Sequence, residues 1–187
     1  MKSIFRISLI CLILTLVAGG AWFVRNHYKK KRIVDFDSQV YETSIKFGVD
    51  RDLILAVIWR ESKFDHMARG DAGERGLMQI MPAAADDFVK FQKIKNFVYD
   101  DLFKPEVNVT AGTWYLSRAI KRWAGRDDPV PFALAEYNAG RKHALRWASG
   151  DTNMTAEQFI NNIDFPSTKS YVTNILNKYE KLRNESK

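Results

Sequence analysis

Between Asp50 and Lys63, the residues Ile54, Val57, Ile58 and Glu61 recur at i, i+3, i+4 and i+7, the spacing of one face of an α-helix. A carboxylate therefore continues an apolar stripe. Leu53, Leu55 and Trp59 widen that stripe while Asp52, Arg60 and Lys63 mark a narrow wet side, so the segment reads as a central helix. Two readings of Glu61 are open. In one it turns outward at the helix end or pairs with Arg60, Lys63 or Arg75. In the other, burial and the negative end of the helix dipole both disfavour the ionised form and push the pKa upward. A glutamic acid so placed can donate a proton near neutral pH. Such acids serve glycosidic oxygens, where an oxocarbenium-like species forms as the leaving group departs. Glycan cleavage is the chemistry to test.

The elements that must position this group are helical. Gln39 to Phe47 fits a helix that Gly48 ends as a left-handed cap, and Asp50 is a good N-cap for the next, Arg51 to about Ser62. Lys63 to Gly76 carries three glycines and many charges, which predicts a loop or small hairpin. Pro82 suits the first turn of a helix through Phe91, with Asp86 and Asp87 expected to complement its dipole. Further helices fit Pro105 to Trp123, Val130 to Asn138, Arg141 to Ser149, Ala156 to Ile163 and Thr168 to Arg183. No long alternating strand stands out, so the expected class is mainly α.

The charge is uneven. Met1 to Arg32 holds seven bases and no acid, which leaves 22 bases against 22 acids in the rest of the 187 residues. Phosphate binding needs clustered Lys and Arg on the folded part, so the neutral remainder argues against a nucleic-acid partner. The basic flanks instead frame Ile7 to Val24, an uncharged apolar run of 18 residues. At full helical rise such a run spans about 27 Å, close to a bilayer core of about 30 Å. It is read as a membrane anchor, with a cleaved signal peptide as the rival because Ala18, Gly19, Gly20 and Ala21 suit a signal peptidase. The expected division is residues 1–34 as anchor or signal and 35–187 as one catalytic domain. The basic residues after the run would, by the positive-inside rule, hold that domain in the cytoplasm. The only cysteine, Cys11, lies in the apolar run, so neither an intrachain disulfide nor a thiolate zinc cluster can form. His27, His66 and His143 are scattered, and no metal or cofactor is expected.

Three blocks narrow the reading: Ala56-Val57-Ile58-Trp59-Arg60-Glu61-Ser62-Lys63-Phe64, then Gly73-Glu74-Arg75-Gly76-Leu77-Met78-Gln79-Ile80-Met81-Pro82, then Ala135-Glu136-Tyr137-Asn138-Ala139-Gly140. The segments Asp101 to Gly112 and Pro166 to Val172 join them in order. Together, over about Gln39 to Tyr179, they resemble the soluble lytic transglycosylase family (SLT domain, family 1) of the lysozyme-like superfamily.

The resemblance implies a lysozyme-like helical fold with a glycan groove, and peptidoglycan strands as the partner. The reaction would cleave the β-1,4 bond between N-acetylmuramic acid and N-acetylglucosamine and leave a 1,6-anhydro ring. Carried over by position, Glu61 is the single acid and base, and Ser62 supports it or the acetamido group by hydrogen bonding, the alternative being a helix-terminal serine bonded to local carbonyls. Gly76, Leu77, Met78 and Gln79 would form a groove wall, with Met78 against a sugar and Gln79 giving polar contacts, the alternative for Met78 being a place in the core. Tyr137 would contact Glu61 through its phenol, and Asn138 a substrate group. Tyr171 resembles a late aromatic of the site, yet Tyr171, Ile175, Tyr179 and Leu182 also form a packing stripe. The chain departs from the family at Gly70, Glu136 and Ser167; Glu136 is expected to point outward, although a second carboxylate near Glu61 would permit hydrolysis. The substrate places the catalytic domain in the cell envelope, on the membrane face opposite to the one that charge alone suggests. The alternatives are a low-activity peptidoglycan-binding scaffold and a hydrolytic muramidase.

Overall fold

The computed structural model describes residues 15–20, 22–23 and 36–186. The chain divides into two compact units, residues 1–37 and 38–187. In the first, residues 15–20 and 22–23 are helical with exposed side chains. Among the described residues no helix is long and apolar enough to cross a membrane, and most of the Ile7 to Val24 run lies outside them.

From Asp37 onward the helices are α1 (Asp37–Phe47), α2 (Arg51–Ser62), α3 (Pro82–Gln92), α4 (Pro105–Arg122), α5 (Val130–Ala139), α6 (Arg141–Trp147), α7 (Ala156–Asn162) and α8 (Pro166–Glu185). A 3-10 turn, Tyr99–Phe103, precedes α4. The described residues contain no strand; isolated β-bridges join Arg69 to Arg75, inside the Lys63 to Gly76 segment read as a loop or small hairpin, and Arg75 to Ile80, which extends beyond it.

Local chemistry sets most boundaries. Gly48 adopts φ 65°, and the Asp50 carboxylate accepts from the backbone N–H of Asp52 at 2.8 Å, capping α2. Prolines open α3, α4, α5 and α8, where a missing N–H costs nothing. The last of these starts at Pro166, two residues before the expected Thr168. Two electrostatic expectations fail. Asp86 and Asp87 lie beyond the first turn of α3, and Asp86 accepts the Tyr99 phenol at 2.8 Å instead. Asp52 is buried rather than wet, because Arg51 and Ser186 reach its two carboxylate oxygens.

The core gathers on two helices that are apolar around their circumference. In α2, Leu53 to Ile58 are all buried, and α8 packs against it. In α5, Pro131 to Glu136 are buried between α4 on one side and α8 on the other. Phe132 of α5 stacks on Phe159 with centroids 3.9 Å apart and meets Trp123 at 5.1 Å, contacts each worth about 1 kcal/mol beyond area burial.

The loop between α2 and α3 is fixed by one side chain of α4. Asn108, 1% exposed, accepts from the Met78 N–H at 2.7 Å and donates to the carbonyls of Arg75 at 2.7 Å and Leu102 at 2.8 Å. Gly76 has φ 75°, and a Cβ there would overlap both Asn108 and the Leu102 carbonyl. Gly112, one turn along α4 from Asn108, leaves the space that Met78 fills. Because Asn108→Ala removes the partners of the buried Met78 N–H and Leu102 carbonyl, while the Arg75 carbonyl still accepts from the Ile80 N–H, we expect it to lower stability by about 2 to 4 kcal/mol, read from urea denaturation of the full chain in detergent. A loss below about 1 kcal/mol would show that water replaces the amide there.

Candidate active site

The chain turns sharply just after Glu61. Lys63 caps α2 in the left-handed conformation, φ 54°, with its N–H on the Trp59 carbonyl at 3.2 Å, and the buried Phe64 follows at φ 66°. Glu61 is thereby held in the last helical turn, half-buried, with its carboxyl in a cleft of about 300 Å³. Tyr171 of α8, 1% exposed, donates to Glu61 Oε1 at 2.6 Å.

Burial is the largest influence on this carboxyl and pushes its pKa up from 4.5 to about 7. The Tyr171 hydrogen bond opposes burial, as do the nearby charges of Arg60 and, more weakly, Lys63, whereas the Glu74 carboxylate adds to the rise. None of the expected cations forms a salt bridge with Glu61. Arg60 lies over the Tyr171 ring at 5.2 Å, Lys63 over Trp59 at 3.6 Å, and Arg75 pairs with Asp100 at 2.8 Å. The geometry is that of the buried, proton-retaining reading rather than the outward one.

The cleft is lined by Glu61, Gly70, Glu74, Gln79, Met81, Tyr137 and Asn138. A second recess of about 280 Å³, reaching to Ile80, Ala84 and Tyr115, shares Gln79, Met81, Tyr137 and Asn138 with it, so the two form one continuous groove. Gln79 is held at φ 47° while its amide donates to the carbonyls of Gly76 at 2.9 Å and Ala68 at 3.2 Å. A left-handed glutamine costs on the order of 1 kcal/mol and persists because these bonds and the Asn108 clamp fix the segment. Asn138, at the end of α5, accepts from Thr168 of α8 at 2.8 Å, which leaves its NH2 as the donor available to the groove.

Several residues named from sequence take other places. Met78 cannot lie against a sugar: it has no exposed surface and packs on Gly112, while its neighbour Met81 lines the groove, 42% exposed. Gly76 and Leu77 are buried behind Gln79 and shape the wall through backbone alone. The Tyr137 phenol donates to the Met78 carbonyl at 2.9 Å, not to Glu61; the bond to Glu61 belongs to Tyr171. Burial, with the Glu61 charge second, pushes both phenols well above their ordinary pKa. Ser62 is buried and its hydroxyl donates to the Ile58 carbonyl at 3.2 Å, the local bonding of a helix-end serine. Glu136, expected outside, is 3% exposed; Arg122 pairs with one oxygen and the Trp123 indole donates to the other at 2.8 Å.

Several groove residues escaped the sequence reading, among them Tyr115, Met81 and Glu74. Met81 was hidden by the more central Met78, although the proline after it marks the point where the chain leaves the buried wall. Glu74 sits between two glycines, and a charged residue in so tight a turn was itself a signal. Among the described residues no three His, Cys, Asp or Glu side chains come together in a way that could hold a metal ion.

This helical frame is shared with known proteins. Residues 39–160 match the family described as the transglycosylase SLT domain, and the chain belongs to that family. It is 27% identical over 162 residues to the soluble lytic murein transglycosylase of Salmonella typhimurium, covering 86% of this chain and 24% of that protein. It is 34% identical over 146 residues to membrane-bound lytic murein transglycosylase C of Klebsiella pneumoniae, covering 75% of this chain and 40% of that one. The crystal structure of the 70 kDa soluble lytic transglycosylase of Escherichia coli superposes with a TM-score of 0.72 at 27% identity, covering 80% of this chain and 24% of that chain. A 70 kDa soluble lytic transglycosylase in complex with bulgecin A superposes at 0.74 with 25% identity, covering 87% and 26%. The chain thus spans about a quarter of the length of the soluble relatives it matches.

Since the Tyr171 bond favours the ionised carboxylate, Tyr171→Phe is expected to raise the Glu61 pKa further above about 7. A carbon-13 NMR titration of the glutamate carboxyls, assigned with Glu61→Gln, reads the shift. A midpoint that stays put or falls would mean that this hydrogen bond does not favour the charged form.

Proposed function

We propose that this protein is a peptidoglycan lytic transglycosylase. It cuts the β-1,4 bond between N-acetylmuramic acid and N-acetylglucosamine and leaves 1,6-anhydromuramic ends. The observation that carries the reading is one carboxyl, Glu61, held protonated by burial up to about pH 7 and facing a groove made of recesses of about 300 and 280 Å³.

In the first half of the reaction Glu61 gives its proton to the glycosidic oxygen as the C1–O bond breaks. The charge that then develops on Glu61 is met by the Tyr171 hydroxyl and the field of Arg60. In the second half the ionised Glu61 takes the proton of the muramyl C6 hydroxyl while that oxygen bonds to C1. The nucleophile is part of the sugar, so closure is intramolecular and has the effective-concentration advantage of a tethered group. A pKa near the working pH lets one residue act as acid and then as base.

Gln79, Met81, Tyr137 and Asn138 fit this reading as the groove wall, with the Asn138 NH2 and the Gln79 carbonyl offering polar contacts and the Met81 side chain an apolar face. Tyr137 also steadies the groove by tying α5 to the Met78 carbonyl. Because peptidoglycan lies outside the cytoplasmic membrane, the catalytic unit, residues 35–187, works in the cell envelope, and the Ile7 to Val24 run tethers it there.

We expect Glu61→Gln in the full chain to reduce release of anhydro ends from purified peptidoglycan by at least about 100-fold, scored by mass spectrometry. The same variant tests burial. The folded pKa of Glu61, about 7, exceeds the ordinary 4.5, so ionisation is disfavoured on folding and stability falls as pH rises through that window. Glu61→Gln is therefore as stable as the wild type below about pH 4.5 and more stable above about pH 7. Undiminished turnover in Glu61→Gln would remove the residue from the reaction; a melting temperature independent of the substitution at pH 8 would refute its desolvation.

A further inference from the structure

The reaction above uses one carboxylate, yet the cleft holds two. Glu74 lies between Gly73 and Gly76 and lines the same cavity as Glu61. Gly70 leaves room for this carboxylate. A Cβ at residue 70 would overlap the Glu74 carboxylate and come within 3.1 Å of Gln79 Oε1, so the flexible Glu74 side chain would have to move. Gly70 is not among the residues with positive φ, so a side chain there acts through space rather than through backbone conformation.

Glu74 is fixed but not neutralised. Its Oε2 accepts from the Ala72 N–H at 3.0 Å, and among the described residues no Lys or Arg forms a salt bridge with it. Glu136 shows the contrast, with Arg122 on one oxygen and Trp123 on the other. A carboxylate held by one backbone N–H keeps acceptor capacity for a further donor. Its charge already reaches the acid, since Glu74 opposes ionisation of Glu61.

We propose that Glu74 is a second catalytic carboxylate, accepting a proton from a water that attacks the anomeric carbon, so that the protein releases reducing muramic ends beside anhydro ends. This rests on the reading of Glu61 as the acid. Glu61 protonates the glycosidic oxygen, and the C1–O bond breaks with its electron pair leaving on that oxygen. The water oxygen supplies the pair for the new bond to C1, and its proton passes to Glu74. One water is consumed, nothing is oxidised or reduced, and solvent exchange returns Glu61 to the acid and Glu74 to the carboxylate. The tethered C6 hydroxyl keeps the advantage of proximity, so anhydro ends are the main product, and a placed general base, which speeds water attack by about 100-fold or more, adds reducing ends as the minor one.

The experiment digests purified peptidoglycan with the full chain in heavy-oxygen water and weighs the released ends. The wild type is expected to give anhydro ends without label and reducing ends carrying one heavy oxygen. In Glu74→Gln the ratio of reducing to anhydro ends falls at least about tenfold, as fits the loss of a general base. Gly70→Ser, which crowds the carboxylate without removing it, moves the ratio in the same direction. Anhydro ends without labelled reducing ends from the wild type overturn the Glu74 proposal and leave Glu61 standing, whether or not a variant folds. A ratio unmoved in folded Glu74→Gln overturns it as well. No ends of either kind from the wild type overturn both readings.

Discussion

The structure turns on one energetic conflict, an ionisable carboxyl placed where water is largely excluded. Six consecutive residues of α2, Leu53 to Ile58, are buried, and the helix continues into Glu61 before the left-handed Lys63 ends it. Packing of α2 on α8 removes water from the carboxyl and at the same time brings the Tyr171 hydroxyl to it. Burial alone would hold the group neutral, and the phenol alone would favour the anion. Burial outweighs the phenol and raises the pKa from 4.5 to about 7, where either protonation state is accessible. An ion pair with Arg60 or Lys63 would have lowered it, and the aromatic faces of Tyr171 and Trp59 draw both cations aside.

The opposite wall of the groove depends on helices distant in sequence. Asn108 of α4 satisfies the backbone of Arg75, Met78 and Leu102, and Tyr137 of α5 binds the Met78 carbonyl. Met78 is therefore anchored through its N–H, its carbonyl and, against Gly112, its side chain. The next residue, Gln79, takes an unfavourable backbone conformation and faces the groove. Stability gathered at Met78 and Asn108 thus offsets strain one position further on, and the wall keeps its shape without a regular strand.

Much of this was readable in the sequence wherever a local rule decides the outcome. The apolar spacing of Ile54, Val57 and Ile58, the Asp50 cap, Gly48 and the helix-opening prolines fixed the α2 to α5 frame and set Glu61 on its apolar face. What could not be read was which of several chemically equivalent groups reaches a given partner. Tyr137 and Tyr171 are both buried phenols near Glu61, and only the registration of α8 on α2 gives the hydrogen bond to Tyr171. Met78 and Met81 are three residues apart in one turn-rich segment, and only the Gly112 notch determines which is swallowed by the core. The 3-10 turn at Tyr99–Phe103 lacked a periodic signature altogether, since five residues are too few to show one.

Three glutamates show how far surroundings rather than residue type set chemistry. Glu136 is the most buried, yet a guanidinium and an indole N–H occupy its oxygens, so its charge is satisfied within the core and it serves to join α5 to the end of α4. Glu61 is less buried but is hydrogen-bonded only by a neutral phenol, and burial outweighs that bond and the nearby charges of Arg60 and Lys63, which raises its pKa to about 7. Glu74 has a single backbone N–H and shares a cavity with Glu61, where two negative charges would repel. Burial is the main reason Glu61 keeps its proton, and the Glu74 charge adds a smaller contribution in the same direction, so an acid and a second carboxyl line the same groove. The glycine at residue 70 leaves room for this arrangement, since a side chain there would make Glu74 move from its place beside Gln79.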